Sequence, residues 1–141
     1  MSLPPLVWQE QVGVSGCGIA CVGMITGLPY ARIVDMAPDF CGEKCGVEDK
    51  HLDQLLAELG YFVRRLERVK WFSGSIRRKW PVPPFAERHL VSVFQTRRDI
   101  YDHYVVMAED GTVYDPADPA LKPSQLSRYA KVNWIAGVVK F

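Results

Sequence analysis

Cys17 stands between Gly16 and Gly18, where a glycine-broken loop gives way to an almost wholly apolar run; residues 11–27 read Gln-Val-Gly-Val-Ser-Gly-Cys-Gly-Ile-Ala-Cys-Val-Gly-Met-Ile-Thr-Gly. A thiol on the first turn of a helix is placed for nucleophilic chemistry, because the unpaired N–H groups and the helix dipole favour a thiolate there. Ser15 is the expected N-cap of a helix from about Gly16 to Thr26, with Gly27 as C-cap and Pro29 as the stop. The glycines flanking Cys17 are read as room for a substrate backbone. Cys21, one turn deeper, is read as a small core residue. A buried cysteine by itself is ordinary, so the chemistry requires a base.

Three histidines are available. His51 opens an amphipathic helix beside Lys50 and is most simply a solvated first-turn residue. His89 starts a strand beside Arg88, with no carboxylate suggested by spacing. His103 leads into Val105-Val106-Met107, a strand that should be rigid and partly buried. Downstream, Glu109-Asp110-Gly111 suits a three-residue hairpin loop, a type I turn closed by Gly111 in the left-handed region. Ala108 then pairs with Thr112, Val105 with Asp115 and His103 with Ala117. Residues two apart on a strand share a face, so Asp115 lies diagonally next to His103 and can orient its ring. A two-residue Asp-Gly turn would shift the register by one and send Asp115 to the other face. Asp118 is the fallback orienter, and Asp102 is expected to point away.

A third element is Gln11, six residues before Cys17. Thiolate attack on a carbonyl generates an oxyanion that needs donors beside the sulfur. The Cys17 backbone N–H is one, and the Gln11 side-chain amide is a suitable second.

The elements that must position these groups follow from the pattern. Residues 1–10 read as an extended arm, since Pro4 and Pro5 exclude helix. Ile19, Ala20, Cys21, Val22, Met24 and Ile25 leave the first helix no polar face, so it should be buried on nearly all sides. Tyr30–Ala37 suits a short second helix. Leu52, Leu55, Leu56 and Leu59 fall on one face of a third, ending at Gly60. Strands are expected over Tyr61–Leu66, Leu90–Gln95, His103–Met107, Val113–Asp115 and Val132–Val139. Residues 67–86, with Pro81, Pro83 and Pro84, form a loop or lid candidate. Helices first and then an antiparallel meander make an α+β fold, a buried central helix packed on an antiparallel sheet.

The 141 residues suit one domain, spanning 1–141. The chain is 48% hydrophobic and 23% charged with net charge +1, an ordinary globular composition with no global field toward nucleic acid or membrane. Neither a signal peptide nor a membrane span is evident, so the expected compartment is the cytoplasm. Cys41 and Cys45 with His51 lack standard zinc spacing and a fourth ligand; no metal or cofactor is expected, and a surface thiol pair, or a local disulfide after oxidation, is the simpler reading. Arg64, Arg65, Arg68, Lys70, Arg77, Arg78 and Lys79 are interleaved with Trp71, Phe72 and Trp80. This mixture fits a grip on an extended peptide better than nucleic acid, since no domain-wide basic balance accompanies it.

Gln11-x5-Cys17-Gly-x-Ala-Cys21, the Gly46–Gly60 segment, His103-Tyr-Val-Val and Asp115-Pro-Ala occur in an order that resembles the bacteriocin-processing cysteine peptidases, papain-like domains that cut leader peptides after a double glycine. The resemblance covers residues 9–118. It implies a papain-like fold, with Cys17 as nucleophile, His103 as general base, Asp115 as orienter and Gln11 in the oxyanion hole; family members are often fused to a membrane-spanning ABC exporter, whereas a stand-alone domain is expected here. The implied activity is hydrolysis of a peptide bond through a thioester, on a leader-like or extended peptide. An amidase or acyl-transfer enzyme on the same fold, or an inactive peptide-binding domain, are the alternatives.

Overall fold

The computed structural model describes residues 3–12, 16–36, 49–66, 86–99, 102–118 and 126–140. Its elements are α1 (Cys17–Thr26), α2 (Tyr30–Met36), α3 (Asp49–Glu58), β1 (Tyr61–Leu66), β2 (Arg88–Phe94), β3 (His103–Ala108), β4 (Val113–Tyr114), a short 3-10 turn (Leu126–Arg128) and β5 (Lys131–Lys140). Ser15, Cys41 and Cys45, and residues 67–85 of the expected lid with most of its basic and aromatic cluster, lie outside the described residues.

Helix α1 is buried from Cys17 through Ile25, as a helix with no polar face must be. It begins one residue later than expected, with Gly16 as N-cap and no side-chain cap. At its other end Gly27 turns into the left-handed region (φ 76°) and returns its N–H to the Gly23 carbonyl. Two further C-terminal carbonyls, those of Met24 and Ile25, are met by a side chain from the sheet. Arg88, 6% exposed, donates to the Ile25 carbonyl at 2.6 Å and also reaches the carbonyl of Pro4. A guanidinium at a helix C-terminus satisfies orphan carbonyls and opposes the negative end of the dipole.

The five strands are all antiparallel, in the order β1-β5-β2-β3-β4. The expected meander is therefore corrected. It holds for β2-β3-β4, but the last strand inserts between β1 and β2 instead of closing an edge. The reason lies in its composition: Ile135, Ala136, Gly137 and Val138 are consecutively buried, which needs cover on both faces and neighbours on both sides. β1, with Arg64 and Arg65, and the two-residue β4 are suited to the edges.

The sheet separates two cores. On one face Leu90, Tyr104, Val106, Ala136 and Val138 pack against α1 and against Leu52, Leu55 and Leu56 of α3. On the other face Val91, Val93, Val105, Met107 and Ile135 pack with Leu126 and Tyr129. Among the described residues, no single helix is long and apolar enough to cross a membrane.

Candidate active site

The hairpin between β3 and β4 has the longer loop. Ala108 donates to the Thr112 carbonyl at 2.8 Å, Gly111 donates back to Ala108 at 3.0 Å, and Gly111 has φ 91°. Val106 pairs with Tyr114 and Met107 with Val113. Continuing this register sets Val105 against Asp115 and leaves Asp115 on the face of His103.

The two side chains meet there. His103 Nε2 donates to Asp115 Oδ1 at 2.8 Å, and the two residues are 8% and 3% exposed. Cys17 acts on the same ring and, with Asp115, favours its charged form. The structure thus brings together Cys17, His103 and Asp115 where α1 and β3 both begin. Burial works against a charged His103, but the hydrogen bond and charge of Asp115, together with the influence of Cys17, outweigh it and raise its pKa from 6.5 to about 9. Burial likewise disfavours the Asp115 carboxylate, yet the bonds from His103, Tyr129 and the Ala117 N–H hold its pKa below the usual value.

Asp115 has more support than its spacing suggested. Ala117 N–H donates to Oδ1 at 2.8 Å and Tyr129 Oη to Oδ2 at 2.6 Å. Trp8 Nε1 donates to the Asp115 carbonyl at 2.7 Å, and Gln11 N–H to the Pro116 carbonyl at 3.0 Å. The N-terminal arm is thereby laced to the end of the hairpin, which brings the Gln11 backbone beside the Asp115 loop. Tyr129 is the residue that sequence reasoning missed, since no spacing rule links it to Asp115, fourteen residues earlier.

The other candidates sort cleanly. Asp118 accepts from Arg128 Nη1 at 3.0 Å rather than from His103. Asp102 is exposed and accepts from Asn133 Nδ2 at 3.2 Å. His89 is fully buried with Nδ1 3.3 Å from the Met107 carbonyl. Cys21 is fully buried, and burial first, then the neighbouring Cys17 and Asp115, push its pKa well up, as expected of an inert core thiol. No cluster of residues suited to a metal occurs among the described residues.

The expectation for the two glycines is corrected. A Cβ on Gly16 would sit 2.5 Å from both the Val12 carbonyl oxygen and the Tyr30 hydroxyl, and one on Gly18 would sit 3.0 Å from Leu52 Cδ2 and 3.4 Å from Tyr104 Cδ2. The protein itself fills the space they leave. Tyr104, packed on Gly18, donates its hydroxyl to Asp49 Oδ1, and Trp134 Nε1 donates to Asp49 Oδ2 at 3.1 Å. This network ties the first turn of α3 to the sheet beside Cys17.

No protein-family model and no curated protein matches the sequence. Among solved structures, the peptidase domain of Streptococcus ComA, a bi-functional ABC transporter involved in a quorum-sensing pathway, aligns with a TM-score of 0.67. The alignment covers 97% of this chain and 100% of that one, at 15% identity. The chain has the fold of the ComA peptidase domain. The peptidase domain of Streptococcus mutans ComA aligns with a TM-score of 0.56 at 14% identity, over 94% of this chain and 98% of that one. The papain-like α+β architecture expected from the sequence is therefore the one found, shared with ComA peptidase domains across nearly the whole chain.

Proposed function

We propose that this chain is a cysteine peptidase, one papain-like domain over residues 1–141, cutting a leader-like or otherwise extended peptide. The observation that carries this reading is the buried His103 ring bonded to Asp115 at 2.8 Å, with Cys17 acting on the same ring. Two features add support: the likeness in fold to peptidase domains and the place of Cys17 as first residue of α1.

His103 takes the Cys17 proton, so that the pair reacts as imidazolium and thiolate. The thiolate attacks the scissile carbonyl carbon, and the oxyanion is held by the Cys17 backbone N–H and the Gln11 side-chain amide. His103 gives its proton to the leaving amine, leaving a thioester on Cys17. It then takes a proton from water as the water attacks, which releases the acid and leaves the Cys17 thiolate beside the protonated ring, ready for the next cycle. Asp115 fixes the ring's tautomer and stabilises its charge.

The test is cleavage of a peptide library that includes double-glycine leader sequences, followed by mass spectrometry. The wild type cuts a defined subset and Cys17→Ala cuts none. Equal cleavage by Cys17→Ala, or no cleavage by the wild type, overturns the proposal.

A further inference from the structure

We propose that Tyr129 is a positioning residue for Asp115, so that the active group is a four-membered relay, Cys17–His103–Asp115–Tyr129. The role rests on the peptidase reading above and deepens it.

An aspartate carboxyl turns easily, because its terminal torsion is broad and nearly two-fold. A triad that depends on one of its oxygens facing a ring nitrogen needs the other oxygen tied down. Here Oδ1 receives His103 Nε2 and the Ala117 N–H, both at 2.8 Å, and Oδ2 receives Tyr129 Oη at 2.6 Å. The two oxygens are held from different elements, so the carboxyl cannot rotate without breaking a bond. The Tyr129 bond is short for O–H···O, as suits a donor to an ionised carboxylate.

Tyr129 is itself firmly mounted. It is 4% exposed, within the core on the His103 face of the sheet. Its N–H donates to the Leu126 carbonyl at 3.1 Å, and the next residue, Ala130, donates to Phe94 at 2.9 Å. Arg128 lies 5.2 Å from the Tyr129 ring centroid and bonds Asp118. Asp118 closes the Asp115 turn, its N–H on the Asp115 carbonyl at 3.1 Å. Two adjacent side chains of one short segment therefore grip both ends of the Asp115–Asp118 turn. A mere filler of the second core needs no hydroxyl; a phenylalanine would serve.

The charged and titratable groups acting on Asp115 are His103, Cys21, Tyr129 and Arg128. Of these, His103 and Tyr129 bond the carboxyl directly, and removing the Tyr129 donor makes Asp115 easier to protonate. Protonated Asp115 no longer holds a cationic ring.

Tyr129→Phe tests this through the rate at which iodoacetamide alkylates Cys17 across a pH series, mapped by mass spectrometry. The expected result is a rate at neutral pH lower by roughly tenfold, the scale of one hydrogen bond to a charged group. The acid limb of the profile should also move to higher pH. Replacing Tyr129 by 3-fluorotyrosine keeps the shape and strengthens the donor, so its acid limb should move to lower pH; this protein carries the test if the phenylalanine variant does not fold. A purely structural Tyr129 would lower the melting temperature and leave the limb in place. Unmoved limbs in a protein whose wild-type Cys17 reacts selectively overturn the role of Tyr129. A wild-type Cys17 no faster than Cys41 and Cys45 overturns the peptidase reading instead.

Discussion

His103 Nε2 lies 2.8 Å from Asp115 Oδ1, across a hairpin whose loop places the two on one face of the sheet. With Nε2 on the carboxylate, Nδ1 is the nitrogen left for Cys17 in the proposed mechanism. Asp115→Asn keeps the shape and most hydrogen bonds but presents the wrong partner to the ring. The expected result is a loss of Cys17-dependent turnover of roughly 10²–10⁴-fold with little change in fold. Asp115→Ala also strands the buried polar atoms of His103 and Tyr129, and should cost about 3 kcal/mol in urea unfolding. Asp115→Asn at wild-type activity would remove Asp115 from the mechanism.

The same pair sets a pH window for stability. His103 has a folded pKa of about 9 against 6.5 unfolded, so its contribution is fully present below pH 6.5 and is lost as pH rises through 9. Asp115 is lowered from 3.8, so its contribution is present above pH 3.8 and is lost as pH falls through the folded value. The pair should stabilise most between these limits. Relative to His103→Ala, the wild type should lose stability between pH 6.5 and 9.5, on the order of 3 kcal/mol. Denaturant unfolding at pH 6, 8 and 9.5 measures it; a parallel pH dependence in the two proteins would contradict the assignment.

Arg88 closes the C-terminal end of the helix that carries Cys17. Arg88→Met keeps the apolar stem but leaves the carbonyls of Ile25 and Pro4 without this donor. Destabilisation of about 2–4 kcal/mol is expected. Limited proteolysis should cut earlier in residues 3–12, since the arm loses one anchor while Trp8 and Gln11 keep theirs.

Gly16 and Gly18 should differ on substitution. An added Cβ at Gly16 meets backbone of Val12 at 2.5 Å, which cannot yield without moving the arm; at Gly18 it meets the flexible end of Leu52 at 3.0 Å. Gly16→Ala should cost about 3 kcal/mol and Gly18→Ala about 1 kcal/mol or less. Calorimetry of both variants checks the order, and the reverse order would refute the packing argument.

Much of this site was legible in the chain because its signals are local. The apolar run after Cys17 allows only a buried helix. Glu109-Asp110-Gly111 suited a three-residue loop while leaving a two-residue Asp-Gly turn open, and period-two alternation made the face of Asp115 depend on that choice. What escaped depends on contacts far apart in sequence. Tyr129 reaches Asp115, and Arg88 reaches Ile25 and Pro4, through the folded sheet, where no periodicity links them. The insertion of β5 was in principle readable: Ile135-Ala136-Gly137-Val138 has no polar face, whereas Arg64-Arg65 marks β1 as an edge. The glycines beside Cys17 were misread because a missing Cβ looks the same in sequence whether substrate or protein occupies the space.

The most direct measurement is iodoacetamide alkylation of the native protein at pH 6, with each cysteine mapped by mass spectrometry, in wild type and in His103→Ala. A thiol held against a protonated His103 should be modified at Cys17 at least about tenfold faster than at Cys41 or Cys45, and the preference should vanish without the ring. Equal rates at the three cysteines, or a Cys17 preference that survives in His103→Ala, would contradict the Cys17–His103 pairing.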